Sequence, residues 1–227
     1  MAPQANVGQY LCLTLSGVFV KLFFMPGTCA LAPHIVLIEL GMVYETEIVK
    51  RADKTCASGD YLKINPKGSV PALKMENGEV LTEGAIISQY LADQKNDGSL
   101  LPKFGTLDRV RTLEMMNYIS TEVHKNFTPL FQASSVYKST ETQNEVKEFY
   151  KSTLNTKFKF LSEKLEGHDF IMGKTFTIAD AYLFTCLSWT KHAGVDLSGF
   201  PKLTSYLSRI SERPSVMRAM KEQGLTK

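Results

Sequence analysis

The stretch Met25-Pro26-Gly27-Thr28-Cys29-Ala30-Leu31-Ala32-Pro33-His34 constrains the fold more than any other part of the chain. Val20 to Met25 is apolar and aromatic, as a buried strand would be, and Leu31, Ile35, Leu37 and Ile38 recur at helical spacing as far as Gly41. Pro33 fits only the first turn of such a helix, because further in it would remove a backbone donor and clash with the turn before it. The pattern predicts strand, tight turn, helix, with Cys29 at or just before the helix N-terminus. Unpaired amide donors and the positive end of the helix dipole favour an anionic sulfur there, so the thiol pKa is expected to fall from roughly 8.5. A cysteine taken at random is more often a small buried hydrophobe; its place at a strand-to-helix turn argues for chemistry.

Tyr44 to Val49 alternates apolar and polar residues at period two and reads as a second strand, joined to the first by the helix between them. Such a crossover makes the two strands parallel and right-handed. Lys50 to Gly59 reads as a polar loop, and Asp60 to Ile64 as a short helix or turn closed by Asn65-Pro66. Gly68 to Met75 then leads to Asn77-Gly78, a type I′ hairpin signal, so two antiparallel strands follow. Pro71 enters the first of them, where a proline is confined to an edge, a first position or a cis turn. Thr82-Glu83-Gly84 opens a helix over Ala85 to Leu91. The order βαβ, short helix, ββ, α is an α/β thioredoxin-like arrangement. Ala32 stands where the redox version carries a second cysteine, which leaves a monothiol site whose resolving thiol would come from a small molecule.

Asp97 to Gly105 is rich in turn residues, and after it only helical patterns occur. Leu107, Val110, Leu113, Met116, Ile119, Val123 and Phe127 outline one long amphipathic helix, on which Glu114, Asn117, Thr121 and His124 form a second stripe. Val146, Phe149, Phe158, Leu161 and Leu165 mark another. Thr177 and Asp180 form a helix start in which each can satisfy the other's backbone donor. The helix that follows, with Ala181, Leu183, Phe184, Leu187 and Trp189, is apolar nearly all round and belongs at the centre of a helical bundle. Gly194 ends it, and Pro214 divides two shorter helices. The expected organisation is an extension over 1–19, flexible or loosely paired as extra strand, an α/β domain over 20–96, a linker over 97–105 and an all-α helical-bundle domain over 106–227.

With 26 basic and 23 acidic residues spread along the chain, the net charge of +3 offers no stripe for nucleic acid. The four cysteines lack metal-ligand spacing, and a chain with a sizeable core has no need of disulfide staples, so reduced thiols in a cytoplasmic protein are expected. The apolar run Tyr10 to Val20 has no Lys or Arg before it and is too short to cross a bilayer as a helix. Cys12, Cys56 and Cys186 read as inert thiols, and His168 and His192 as surface residues.

Pro26-Gly27-Thr28-Cys29-Ala30-Leu31, Asn65-Pro66-Lys67-Gly68-Ser69-Val70-Pro71-Ala72-Leu73, Leu81-Thr82-Glu83-Gly84, Thr121-Glu122-Val123-His124-Lys125 and Phe176-Thr177-Ile178-Ala179-Asp180-Ala181-Tyr182-Leu183-Phe184 together resemble the bacterial beta-class glutathione S-transferases. The resemblance runs from about Val20 to the C-terminus. Ser69 stands where the family often has Gln, and Val20 where its members usually begin with Met. The resemblance implies glutathione as co-substrate, no metal, a homodimer, and catalysis by Cys29 and His124. It further implies that Val70 pairs with the cysteinyl backbone of glutathione, that Pro71 is cis, and that Glu83 and Gly84 hold the γ-glutamyl end. Lys54 would meet the glycyl carboxylate, and Asn117 and Thr121 would complete the polar wall, reaching toward a dimer partner. His34 belongs to the first motif as a packing or a catalytic residue.

The expected reaction is conjugation, in which glutathione thiolate attacks a small apolar electrophile lodged between the domains against residues such as Met116 or Phe127. The alternatives are glutathione-dependent thiol-disulfide exchange with Cys29 as nucleophile, and a low-turnover module that binds apolar ligands. Neither a nucleic acid nor a membrane is expected as a partner.

Overall fold

A computed structural model describes residues 19–226. Cys12 and nearly all of the extension expected over 1–19 therefore lie outside the described residues. Strand β1 (Val20–Phe24) runs into helix α1 (Leu31–Glu39) and returns as β2 (Tyr44–Ile48), parallel to β1 with Phe23 beside Glu47. The hairpin β5 (Ala72–Met75) and β6 (Val80–Thr82) adds two antiparallel strands, giving the order β2-β1-β5-β6. Leu22 pairs with Leu73, and Leu73 with Leu81. This is the thioredoxin-like sheet that the alternation and the Asn77-Gly78 signal predict, but the turn is not type I′: of that pair only Gly78 has positive φ, +86°, and its amide donates to the Met75 carbonyl at 2.9 Å, which makes a three-residue loop over Glu76, Asn77 and Gly78.

The stretch read as a polar loop before Gly59 contains a two-stranded ribbon, β3 (Thr55–Cys56) and β4 (Gly59–Asp60). Side chains close to it in sequence hold it: Asp53 accepts from the Thr55 amide and hydroxyl, and Glu47 accepts from the Ser58 amide and hydroxyl. A 3₁₀ turn (Tyr61–Lys63) follows, with Asp60 accepting from the Leu62 amide.

Helix α2 (Gly84–Lys95) leads into the helical half: α3 (Leu107–Tyr118), α4 (Lys125–Val136), α5 (Thr140–Lys164), α6 (Ile178–Ser188), α7 (Thr190–Ala193), α8 (Pro201–Ser211) and α9 (Pro214–Glu222). The long helix expected from Leu107 to Phe127 is interrupted by a π-helical turn, Ile119–His124. Pro129, inside α4, has no amide for the Lys125 carbonyl and crowds it, and the chain takes up the mismatch as a wide turn just before. Two expected apolar stripes also differ. Leu107 and Val110 are 67% and 59% exposed, and Phe149 on α5 is 66% exposed, so only the later positions of each stripe reach the core.

Every residue of α6 from Ile178 to Leu187 is buried, as its all-round apolar sequence requires. Asp180 accepts from the Thr177 amide at 2.8 Å and hydroxyl at 2.9 Å, from the Ile171 amide at 2.8 Å and from the Tyr206 hydroxyl at 3.0 Å. One apolar cluster runs from the sheet (Val20, Leu22, Leu73) through α1 (Leu31, Ile35) to α6 (Leu183, Leu187), and a second (Phe23, Met25, Tyr61) covers the opposite face. Helix α9 clasps the far side of α1: His34 meets Glu222 at 2.8 Å, and Glu39 accepts from Arg213 Nη2 at 2.8 Å and from the Ser215 hydroxyl. Among the described residues, no helix is long and apolar enough to cross a membrane.

Candidate active site

Gly27, at φ +72°, turns the chain from β1 toward α1, and the Thr28 hydroxyl donates to the Met25 carbonyl at 2.7 Å. Cys29 emerges from this turn two residues before α1 begins. Its thiol donates to the Val70 carbonyl, 3.3 Å away. The expected low thiol pKa is not found: burial pushes it up to about 11. The helix start does little to counter that burial. The Leu31 amide bonds the Thr28 carbonyl and the Ala32 amide the Cys29 carbonyl, so the first donors of the helix are taken up within the turn. Packing withdraws water from the sulfur, the backbone around Cys29 offsets only part of that cost, and the Glu83 carboxylate adds a small push in the same direction.

The carbonyl that Cys29 meets belongs to a strap held from behind. The Ser69 carbonyl accepts from Tyr61 Oη and from Asn65 Nδ2, both at 2.7 Å, and the Val70–Pro71 bond is cis. Gly84 backs onto the Pro71 ring. Glu83 sits at φ +70° in front of α2, and no side chain caps the helix, so its first amides open toward the cleft. The Glu83 carboxylate is bound by Lys67 Nζ at 2.7 Å, and that ammonium also reaches the Thr82 hydroxyl at 2.9 Å.

From the helical half, His124 closes the π turn and faces Cys29 across the cleft. Its Nδ1 lies 2.7 Å from the Tyr182 hydroxyl, and its ring packs 5.0 Å from Trp189. Burial, with help from the neighbouring Lys125 charge, lowers its pKa to about 4, so the ring is neutral at pH 7. Trp189 Nε1 donates to the Gly27 carbonyl at 2.9 Å and thereby ties α6 to the cysteine turn.

Two lobes meet at Cys29 and His124. The smaller, about 270 Å³, lies along Val70, Pro71, Glu83 and Gly84, with Ser120, Lys125 and Tyr182 opposite. The larger, about 610 Å³, has an aromatic wall of Phe127, Phe131 and Trp189 and a polar rim that includes Arg51, Lys54 and Gln132. Trp189 stands edge-on to Phe127 at 5.5 Å and to Phe131 at 6.2 Å. Among the described residues, no group of three or more His, Cys, Asp or Glu is arranged to hold a metal ion.

The fold therefore gathers Cys29, Lys54, Val70, Pro71, Glu83, Gly84 and His124 around one cleft. It does not bring Asn117 and Thr121 there. Both are exposed, and the Thr121 hydroxyl bonds back to the Asn117 carbonyl at 3.1 Å. The stripe that joined them to His124 assumes regular α-helix, whereas the π turn rotates His124 away from it and puts Ser120 beside the cleft instead. Met116 is buried outside the cleft, and Phe127 alone of the two expected apolar contacts lines it. Residues that the sequence pattern passed over include Lys67, Tyr182 and Phe131. Lys67 and Tyr182 stand inside the quoted motifs, and that position was the available signal. His34 is fully buried between α1 and α9, away from the cleft, as a packing residue.

Residues 27–94 match the family described as glutathione S-transferase, N-terminal domain, and residues 126–223 the family described as glutathione S-transferase, C-terminal domain. Glutathione S-transferase GstA of Escherichia coli O157:H7 is 42% identical over 206 residues, spanning 90% of this chain and 99% of that protein. A bacterial beta-class glutathione S-transferase of Sphingomonas chungbukensis superposes with a TM-score of 0.83 at 40% identity, covering 91% of this chain and 100% of that one. A sphingomonad glutathione S-transferase complexed with glutathione gives 0.82 at 39% identity, with coverages of 91% and 100%.

Proposed function

The chain belongs to the glutathione S-transferase family, close to its bacterial beta class, and from that premise we propose that its cleft activates glutathione and conjugates it to small apolar electrophiles. The observation that carries the reading is the meeting of the two lobes at Cys29 and His124, one lined by backbone groups suited to a peptide and the other walled by aromatic rings. The γ-glutamyl carboxylate of glutathione takes the open amides at the start of α2. Its ammonium group takes Glu83 as Lys67 swings aside, and Lys54 meets the glycyl carboxylate. The cysteinyl N–H of glutathione replaces the Cys29 thiol on the Val70 carbonyl, which frees that thiol to donate to the glutathione sulfur.

A thiol pKa of about 11 leaves roughly one Cys29 in 10⁴ ionised at pH 7. Cys29 therefore acts as a neutral donor, and so does His124, with its pKa of about 4. Both stabilise the glutathione thiolate, which attacks the electrophilic carbon against Phe127, Phe131 and Trp189 while the leaving group departs with its bonding pair. Thiol-disulfide exchange would need Cys29 ionised. The test is conjugation and disulfide-reduction rates for wild type and Cys29→Ala. Conjugation and reduction both within about tenfold of wild type support an auxiliary donor role, and loss of reduction with conjugation kept makes Cys29 a redox nucleophile, the conjugating thiolate then being held by other donors. Glutathione binding without turnover in wild type would leave a binding module.

We also propose a homodimer in the cytoplasm, where glutathione is kept reduced. Leu107, Val110, Glu114, Asn117 and Thr121 follow one another every three or four residues along an exposed line, and Phe104 before them is 88% exposed. A partner seated on this line covers the apolar residues and gives Asn117 and Thr121 a polar role across the interface.

A further inference from the structure

We infer that Tyr182 is a positioning residue: its hydroxyl donates to Nδ1 of His124 and fixes the tautomer that presents Nε2–H to the sulfur site beside Cys29. The inference rests on the proposed role of His124 as a neutral donor and adds what makes it one. The 2.7 Å contact joins the π turn to the middle of the buried helix α6, and the two rings stand edge to face at 5.8 Å. A neutral imidazole has one donor and one acceptor nitrogen, so whatever bonds Nδ1 decides what Nε2 offers.

Two arguments assign the direction, and a third contact fixes the ring. Burial holds the Tyr182 phenol far above its ordinary pKa, so it keeps its proton; the Ser120 hydroxyl also bonds its oxygen, in the sense that favours the anion, so Ser120 donates there and the phenol proton is left for Nδ1 of His124. Of the two groups the phenol is the stronger acid and the imidazole nitrogen the stronger base, which favours O–H···N over N–H···O. Trp189 packs on the same imidazole and is anchored to the Gly27 carbonyl, so the ring is held in orientation from a second side. Helix α6 thus fixes both partners of the sulfur site, His124 through Tyr182 and the cysteine turn through Trp189. The charged groups facing this lobe are Lys67, Lys125 and Glu83. None of them bonds Nδ1, which meets the Tyr182 hydroxyl.

The test is Tyr182→Phe, which keeps the ring and removes only the hydroxyl, compared with His124→Ala and the double variant. Three quantities are read: the pKa of enzyme-bound glutathione, from thiolate absorbance, the nitrogen-15 shifts of His124 in the ligand-free protein, and kcat/KM. The wild-type shifts are expected to show a protonated Nε2 and an unprotonated Nδ1, and Tyr182→Phe a mixture of tautomers. The bound thiol pKa should rise by about one unit in Tyr182→Phe, with kcat/KM falling about tenfold. Tyr182→Phe should add nothing on top of His124→Ala. A protonated Nδ1 in wild type overturns the inference. So does a bound thiol pKa that rises in His124→Ala but not in Tyr182→Phe, an outcome that leaves the donor role of His124 standing. If neither variant moves that pKa, the donor role itself falls and the inference with it.

Discussion

His34 and His124 are both driven toward the neutral form by burial, yet they do opposite things. His34 has a partner at each nitrogen: Glu222 at 2.8 Å on Nε2 and the Gln223 amide at 3.2 Å on Nδ1. Its ring also lies 5.4 Å from Tyr44 and 6.2 Å from Phe24, so nothing of it is left to offer a ligand. In His124 one nitrogen is held by Tyr182, and the rest of the ring borders both lobes of the cleft. Burial and a shifted pKa are common to a structural and a functional histidine here. The number of committed nitrogens separates them.

That difference is broken most directly by truncating each ring. His34→Ala leaves a cavity between α1 and α9 and strips the Glu222 carboxylate of one of its donors, so unfolding in urea should show a loss of about 4 kcal/mol. The kcat/KM of the molecules that remain folded should stay within about twofold. His124→Ala should do the reverse, lowering kcat/KM about 100-fold, or about 2.7 kcal/mol, by removing a donor to the thiolate. If His34→Ala lost activity without losing stability, counting committed nitrogens would have no diagnostic value.

Acid sharpens the same contrast from the side of stability. Both histidines have folded pKa values below the unfolded value of about 6.5, so below that pH the unfolded chain binds more protons than the folded one. Their stabilising contribution is therefore complete above about pH 6.5 and is lost as pH falls through the folded values, about 4 for His124. Between pH 7 and pH 5 His124 alone should account for a loss of about 2 kcal/mol. Melting temperatures across that window should fall less steeply in His124→Gln than in wild type. An unchanged slope would mean that His124 is not held neutral.

Much of this was legible in the chain, and what was not has identifiable causes. The strand-turn-helix around Cys29, the hairpin at Asn77-Gly78 and the Thr177–Asp180 helix start are local patterns, and each stands where its residues place it, although the hairpin turn itself is not type I′. The charge state of Cys29 was not legible, because it depends on how deeply α6 and the strap at Val70 bury the sulfur and on which carbonyls take up the first amides of α1. That Asn117 and Thr121 stand outside this chain's own cleft was not legible for a related reason. A seven-residue spacing predicts a shared face only while the helix stays regular, and the wide turn at Ile119–His124 breaks that condition. Tyr182 was hidden by its company, since a polar tip on an otherwise apolar helix reads as core until the partner of its hydroxyl is known.

The finest distinction concerns which nitrogen of His124 does the work. A glutamine at this position can extend its amide N–H to about where Nε2 lies, while an asparagine reaches only to about Nδ1 and would face Tyr182 instead. If the donor to the glutathione sulfur is Nε2–H, His124→Gln should retain about threefold more kcat/KM than His124→Asn, a difference of about 0.7 kcal/mol. Both variants remove the imidazole and its protonation, so the comparison isolates donor position from charge. Steady-state rates at pH 7 with one electrophile suffice to measure it. Equal rates would mean that the sulfur does not depend on a donor at the Nε2 position, and His124 would then differ from His34 in exposure but not in chemistry.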